Sequence, residues 1–369
     1  MADALIDGKP ASLEAAAARA AQILVEARLP LVAGLGADVA GTSAAILLAE
    51  RLRGAYDHMR SDEIFTDLDV VRQAGAMVTT PSVARLRADV LVFIGDDLTE
   101  IWPELIDRLA PAEIPPFDLE KSARQLVWIA PPKGAAIEGV SIKRIETANI
   151  AVTLAALRAR VAGKPVALAG EALEELDAVA AILNKARFGV FVWGPRRLDR
   201  LCVEMATGLI IDLNKTTRFT GLPLGTSDNA AGVTQTSGWS TGFPTRTSFG
   251  RGYPEHDTWR FDAVRLIESG EADAALWISA YSPSAPQWTR EVPLIALVPK
   301  ETSFAREPAV RIDIGRPGVD HDGADFSREV SALVAREATR RSDAPSTASF
   351  LKSIAEQIAR NAGQSGEGA

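Results

Sequence analysis

The chain has 369 residues, a single cysteine and a formal charge of −8, with a pI near 5.2. The length predicts two domains, and an acidic surface without a basic stripe argues against nucleic acid as a partner. A lone Cys202 rules out an intrachain disulfide and a cysteine-ligated cluster; no apolar run reaches the ~18 residues of a membrane span, and the N-terminal MADALIDGKPASLEAAAARA lacks the build of a signal peptide, so a cytoplasmic protein with no membrane partner is expected.

Taken in order, Ser12 is placed to cap a helix over 13–28. LPLVAG (29–34) is a short apolar run ending in glycine, the mark of a buried parallel strand. A helix over 42–53 and a strand at GAYD (54–57) follow. The acidic group Asp62, Glu63, Asp67 and Asp69 is expected to form a solvated face. Pro81 starts a short helix to Arg87, and DVLVFIG (89–95) is the clearest strand of the first half. A helix over 101–109 and the strand QLVWIA (125–130), stopped by Pro131 and Pro132, complete that half. KPVALA (164–169) marks the junction.

The pattern then restarts. FGVFVWG (188–194) repeats the character of LPLVAG, and a helix over 198–209 follows. After a long polar segment and a helix over 257–269, DAALWIS (273–279) matches DVLVFIG, and VPLIALV (292–298) matches QLVWIA. The repeat predicts an α/β fold of two duplicated, doubly wound Rossmann-like halves, 1–163 and 164–315. Helical patterns at 327–341 and 348–359 occupy a C-terminal segment, 316–369, whose last residues, AGQSGEGA, are expected to be disordered.

The segment 212–256 has neither helical nor alternating period and is rich in Gly, Thr, Ser, Asn and Pro. Phe219, Trp239, Phe243, Phe249 and Tyr253 recur within it, unlike a disordered run. It is expected to be an ordered loop covering a cavity or a partner surface. Seven Trp against three Tyr also hint at buried interfaces. Ligands of open α/β sheets bind beyond the carboxyl ends of strands. Residues 34–38, 95–99, 194–196 and 279–284 are therefore expected around a common cleft.

Gly34-Leu35-Gly36-Ala37-Asp38-Val39 partly matches a dinucleotide fingerprint, with Asp57 ending the next strand, but Val39 replaces the third glycine. His58, His256 and His321 are far apart and are expected as polar surface or loop residues rather than metal ligands. Cys202 is expected as a small buried residue. Asp96 and Asp97 follow a strand and could bind a ribose or a metal–water cluster, or simply be solvated. There is no G-x-S-x-G elbow and no P-loop.

Several of these residues also carry a resemblance. Leu213-Asn214, Thr217, Gly225, Asn229, Gly232, Trp239, Thr241-Gly242, Pro244 and Gly252-Tyr253-Pro254 stand where the pattern of the formylmethanofuran dehydrogenase B subunit, in the molybdopterin oxidoreductase superfamily, has them. Pro30-Leu31, Gly34, Leu48-Ala49-Glu50, Gly54-Ala55, Asp57, Arg87-Ala88-Asp89, Gly270-Glu271, Asp273-Ala274 and Ile295 support it, so that the resemblance spans about 13–328. It implies the family's paired pterin-nucleotide domains without the N-terminal iron–sulfur domain. The family's metal-binding Cys or selenocysteine would fall within SDEIF (61–65). Asp62 or Glu63 cannot stand in for a soft thiolate. A pterin enzyme using either carboxylate is the least favoured reading.

That departure resembles the B subunit of the bacterial formyltransferase/hydrolase complex. The resemblance implies a structural subunit without redox activity. Its complex moves formyl from formyl-tetrahydromethanopterin to a methanofuran-like carrier and releases formate in C1 metabolism (formaldehyde oxidation, methylotrophy). Implied partners are the carrier, an amidohydrolase-like A subunit, a β-helical C subunit, plus a formyltransferase D subunit. No catalytic residue, metal, tungsto- or molybdopterin, or iron–sulfur cluster is expected. A vestigial cleft would be lined by Gly34, Gly36, Gly95, Asp96, Asn214, Asn229, Trp239 and Gly242. The alternative is a nucleotide-binding enzyme reusing that cleft.

Overall fold

The structure, a computed structural model, describes residues 4–111, 124–133 and 141–366. A hairpin of β1 (Ala4–Ile6) and β2 (Lys9–Ala11) opens the chain. Helix α1 (Leu13–Glu26), capped by Ser12, leads to β3 (Pro30–Gly36), α2 (Val39–Arg51) and β4 (Ala55–Tyr56). Next come α3 (Ser61–Ala74), α4 (Pro81–Arg87), β5 (Val90–Ile94), the short α5 (Leu98–Ile101) and α6 (Leu105–Leu109), β6 (Gln125–Ile129) and β7 (Ile142–Ile145). Helices α7 (Ile150–Val161) and α8 (Glu171–Lys185) precede β8 (Gly189–Trp193), α9 (Arg200–Leu213) and β9 (Phe219–Pro223). Then follow α10 (Ala230–Thr241), β10 (Thr247–Ser248), β11 (Glu255–His256), α11 (Ala263–Glu268), β12 (Ala274–Ser279), β13 (Leu294–Val298) and β14 (Val310–Asp313). The ribbon β15 (Gly323–Ser327) and β16 (Ala332–Arg336) precede α12 (Thr347–Gly366).

The chain folds into two compact units, and neither is a sequential half. The first takes residues up to Ser61, 227–326 and from Leu333 on; the second takes 62–226 and 327–332. The division expected at 163/164 is thus replaced by an interleaved one. Strands expected in one half are shared between two sheets, because residues that follow one another need not hydrogen-bond one another.

In the first unit the sheet order is β11-β10-β4-β3-β12-β13-β14-β1-β2. Its centre, β4 to β14, is parallel, with antiparallel strands added at both edges. The second unit has five parallel strands in the order β7-β6-β5-β8-β9. Strands matched in the sequence occupy like positions: β6-β5-β8 in one sheet, β13-β12-β3 in the other. All residues of β3, β5, β8 and β12 are buried, which explains their unbroken apolar sequences.

Both sheets carry helices on both faces. In the first unit, Ala20 and Leu24 of α1, Ile46 of α2 and Leu351 and Ile354 of α12 share one core, while Leu266 and Ile267 of α11 pack with Trp277 on the other side. In the second, Leu154, Leu183 and Ile210 of α7, α8 and α9 oppose Ala84 and Leu105 of α4 and α6. One device recurs. Asp89, before β5, accepts the backbone N–H groups of Arg187 and Phe188, before β8, at 2.8 and 2.9 Å. Asp273, before β12, does the same for Arg28 and Leu29, before β3, at 3.0 and 3.2 Å.

Three expectations change. Residues 212–256 are not a loop, since they contain β9, α10, β10 and β11. The helix expected over 327–341 is replaced by part of the β15–β16 ribbon. The terminal helix continues to Gly366, where disorder was expected, and 367–369 lie outside the described residues.

Gly189 shows how closely β8 and β9 approach. It pairs with Phe219 in the register, and a Cβ there would lie 1.9 Å from the Phe219 ring. The variant Gly189→Ala is expected to destabilise the protein by roughly 1–3 kcal/mol through overpacking, read by urea unfolding; unchanged stability would contradict this packing.

Candidate functional site

In each parallel sheet the strand order reverses once. The reversal lies between β3 and β12 in the first unit and between β5 and β8 in the second. Beyond the carboxyl ends of such a pair lies the usual ligand crevice. The four segments expected around one cleft therefore fall two and two on separate units: 34–38 with 279–284, and 95–99 with 194–196.

At the first reversal the turn after β3 is closely packed against the protein itself. Gly34 has φ +74°, and a Cβ on it would sit 2.6 Å from the Ile278 carbonyl oxygen. Its role is to let β3 lie against β12. A Cβ on Gly36 would meet Met59 at 3.2 Å and Asp228 at 3.5 Å. Asp38 caps α2, its carboxylate accepting the Gly41 N–H at 2.9 Å. That carboxylate occupies the helix N-terminus where a pyrophosphate would have to bind, and burial raises its pKa. The dinucleotide fingerprint is thus a tight turn closed by an acid.

Around this turn runs a buried polar network. Asp57, at the end of β4, accepts four hydrogen bonds: from the His58 N–H (2.8 Å), the Ser61 hydroxyl (2.6 Å), the Ala263 N–H (3.0 Å) and Arg246 Nε (3.3 Å). Arg246 also reaches Asp262 at 2.6 Å and the Thr258 carbonyl at 2.6 Å. Burial pushes Asp57 up to about 6, against the pull of Arg246. His58 is not the surface residue expected, but fully enclosed. Its Nδ1 accepts the Arg60 N–H at 2.9 Å, so Nε2 carries the proton and donates to the Asp228 carbonyl at 3.0 Å. Burial pushes its pKa down to about 4.

Asp228 completes the network. Its carboxylate accepts the Ser227 and Ser282 hydroxyls at 2.7 and 2.6 Å and faces Arg60 at 3.5 Å. Burial raises its pKa, but those partners and His58 outweigh burial and leave it lowered. Asp228 and the next residue, Asn229, both adopt the left-handed region. Asn229 donates to the Ala37 carbonyl at 2.7 Å and accepts the Phe326 N–H at 2.9 Å. Asn229 thus joins Gly34 and Gly36 at one place, but as a clamp on the turn. Asp228 was not singled out in the sequence and Ser282 only as part of 279–284; their roles arise when β12 and α10 are brought beside β3.

The remaining expected residues lie elsewhere. Gly95 and Asp96 follow β5, where Trp128 Nε1 donates to the Gly95 carbonyl at 2.7 Å and Asp96 faces Arg197 at 3.8 Å. Beside them Asp97 is buried, with no hydrogen bond to either carboxylate oxygen among the described residues; burial raises its pKa. Asn214 does not share that end. It bonds both the N–H and the carbonyl of Phe219 (3.1 and 2.7 Å), at the amino end of β9, and its role is to fasten the α9–β9 turn. Trp239 is exposed on α10, and Gly242 ends that helix at φ +81°.

The segment expected to bear the metal-binding residue opens α3. Ser61 bonds Asp57, Glu63 bonds the Thr226 hydroxyl, and Phe65 is buried. Asp67, expected on a solvated face, is instead largely enclosed and accepts Trp193 Nε1 at 2.9 Å; burial raises its pKa to about 6. Cys202 lies on α9, buried, with its thiol pushed up to about 11 by burial and by Asp199. Hard oxygens at 61–65 and a protonated thiol elsewhere do not fit a pterin-bound tungsten or molybdenum, which needs soft ligands. His256 and His321 bond backbone carbonyls. Among the described residues, no group of three His, Cys, Asp or Glu is arranged to hold a metal.

No family model matches the chain. It is 34% identical over 345 residues, 93% of each chain, to the B subunit of the formyltransferase/hydrolase complex Fhc of Methylorubrum extorquens. The B subunits of tungsten-containing formylmethanofuran dehydrogenase 2 from Methanococcus maripaludis and Methanocaldococcus jannaschii are each 27% identical, covering 80% and 87% of this chain and 72% and 77% of theirs. A chain in the crystal structure of the Methylorubrum extorquens formyltransferase/hydrolase complex with methylofuran superposes with a TM-score of 0.87, at 33% identity, covering 97% of this chain and 99% of that one.

Two variants test the buried network. Asp57→Ala leaves a buried guanidinium short of a partner and is expected to cost roughly 3 kcal/mol, measured by urea unfolding at pH 7. The pH dependence has two opposed parts. His58 binds a proton below about 4 in the fold but near 6.5 in the unfolded chain, so its contribution falls as pH drops across that window. Asp57, raised from 3.8 to about 6, makes stability fall as pH rises across its own window. His58→Gln removes only the first part. Its stability loss between pH 6.5 and 4.5 is expected to be about 2 kcal/mol smaller than that of the native chain; equal losses would contradict a neutral buried imidazole.

Proposed function

Since the chain belongs to the family of the Fhc B subunit, the B subunits of formyltransferase/hydrolase complexes, we propose that it is a non-catalytic structural subunit of such a complex. The assembly would move a formyl group from formyl-tetrahydromethanopterin to a methanofuran-like carrier and release formate. Its partners would be an amidohydrolase-like protein, a β-helical protein and a formyltransferase, in the cytoplasm. The solved relative belongs to a complex that was crystallised with methylofuran, and this chain would contact the equivalent carrier.

The observation that carries the non-catalytic reading is the chemistry of residues 61–65. A redox pterin centre needs a thiolate or selenolate there and a cluster to pass electrons. This chain offers Ser61, Asp62 and Glu63, and its one cysteine is a buried thiol on α9. The distant kinship to tungsten-dependent dehydrogenase subunits is then kinship of scaffold. The matched positions of β6-β5-β8 and β13-β12-β3, with Asp89 and Asp273 serving alike, support the finer reading of two duplicated Rossmann-like halves. Each half would give strands to both sheets.

Metal and pterin analysis of the complex purified through this chain tests the reading. Tungsten, molybdenum, iron and pterin are each expected well below one per chain, with co-purification of an amidohydrolase-like partner. Stoichiometric tungsten or molybdenum with pterin would overturn it, as would full activity of the assembly in cells lacking this chain.

A further inference from the structure

A cavity of about 610 Å³ opens beyond the carboxyl ends of β12, β13 and β14 in the first unit. Its lining includes Tyr281, Lys300 and Asp313 at the ends of those strands. Part of its wall is the segment 315–322, through Arg316, Val319 and Asp320.

That segment is a tight turn. The Asp320 N–H donates to the Arg316 carbonyl at 2.8 Å, and the Gly318 N–H to the His321 carbonyl at 2.8 Å. One side chain joins its two ends. His321 Nδ1 lies 2.8 Å from the Asp322 carbonyl oxygen, and Nε2 lies 3.2 Å from the Gly315 carbonyl oxygen. A carbonyl oxygen only accepts, and a neutral imidazole has one N–H to donate. Both bonds therefore exist together only in the imidazolium. A neutral ring would set a nitrogen lone pair against a carbonyl oxygen. His58 is the contrast: one of its nitrogens accepts and the other donates, so one proton suffices.

The charges around the ring suit a cation. Three carboxylates face it: Asp38 at the start of α2, and Asp320 and Asp322 on its own segment. From the stretch between β16 and α12, Arg340 pairs with Asp320 at 2.9 Å and Arg341 with Asp322 at 3.2 Å. Among the described residues no Lys or Arg pairs with Asp38, and His321 supplies the positive charge that it faces.

We propose that His321 is a proton-operated staple on the wall of this cavity. As an imidazolium it ties Gly315 to Asp322 and holds the turn. When it gives one proton to water, a bond to a carbonyl is lost and the segment loosens. An imidazole ordinarily exchanges that proton near neutral pH, so the wall is firm in weak acid and loose in weak base. Asp38 gives the opposite response. Its pKa is raised by burial, and the charge it gains with rising pH would hold the imidazolium more firmly.

The test uses the full-length chain with isotope-labelled histidine. Ring-nitrogen NMR follows His321 from about pH 5.5 to 8.5, while hydrogen–deuterium exchange, corrected for intrinsic rates, follows 315–322. The signal of His321 is assigned by its loss in His321→Gln. Both ring nitrogens are expected to be protonated at the acid end. Protection of the segment is expected to fall about tenfold across the range in the native chain. In His321→Gln, whose amide donates from one end only, it is expected to be low and level. A bare ring nitrogen at the acid end would overturn the proposal, as would the same pH response in chain and variant. If thermal melts show that His321→Gln does not fold, His58→Gln and His256→Gln assign the signal by elimination. The native chain then decides: coincident midpoints of ring titration and segment protection support the staple, and separate midpoints refute it.

Discussion

A carboxylate sealed from water must be matched or it destabilises the fold, and Asp57 is matched four times over. Its two oxygens tie the end of β4 to the first turn of α3, to the start of α11 and to Arg246. Arg246 in turn holds Asp262, which caps α11. Segments remote in sequence thus meet on one acid. The turn after β3 and the residues Asp228 and Asn229 are built around the same core, so the geometry at the first strand reversal follows from this constraint rather than from a ligand. The buried state of Asp57 is tolerable only because every donor is supplied by the chain.

The same logic separates scaffold from chemistry. A doubly wound sheet offers a crevice wherever its strand order reverses, and this chain has two such places. At one, Asp38 and the Asp228 network close the turn with fixed negative charge. At the other, the Asp97 carboxylate is buried without a hydrogen bond among the described residues. Neither presents the thiolate that a soft metal requires. Sheet packing depends on residues such as Gly34, Asp89 and Asp273, so the fold itself does not depend on which side chains stand at 61–65.

Much of the sheet was legible from sequence. LPLVAG, DVLVFIG, QLVWIA, FGVFVWG, DAALWIS and VPLIALV all became strands, since a strand buried on both faces leaves an unbroken apolar run. What the runs could not reveal is adjacency. DVLVFIG lies beside FGVFVWG, and DAALWIS beside LPLVAG, so both sheets take strands from both halves. Helix α10 was illegible for another reason. AAGVTQTSGWST holds two glycines and several β-branched residues, poor helix formers without an apolar stripe; contact with α2 and the left-handed caps at Asn229 and Gly242 impose the helix. His58 was misplaced because nothing local distinguishes a buried neutral imidazole from an exposed one. Asn214 looked like a ligand contact and proves to be a turn fastener, a role visible only once α9 and β9 are adjacent.

If Asp57 and its neighbours fix the interior of the first unit, the exposed apolar side chains on α2, α10 and the β10–β11 turn need a separate cause. Core packing does not require them, since Leu47, Trp239 and Tyr253 leave most of their surface in water. Exposed apolar area lowers solubility and adds nothing to an isolated fold. The rigid hairpin and the Tyr56–Ser237 bond nonetheless hold it in one shape. A surface both disadvantageous alone and firmly positioned is best explained by burial elsewhere. A relative 33% identical was solved inside a formyltransferase/hydrolase complex, a setting in which such a face would be covered.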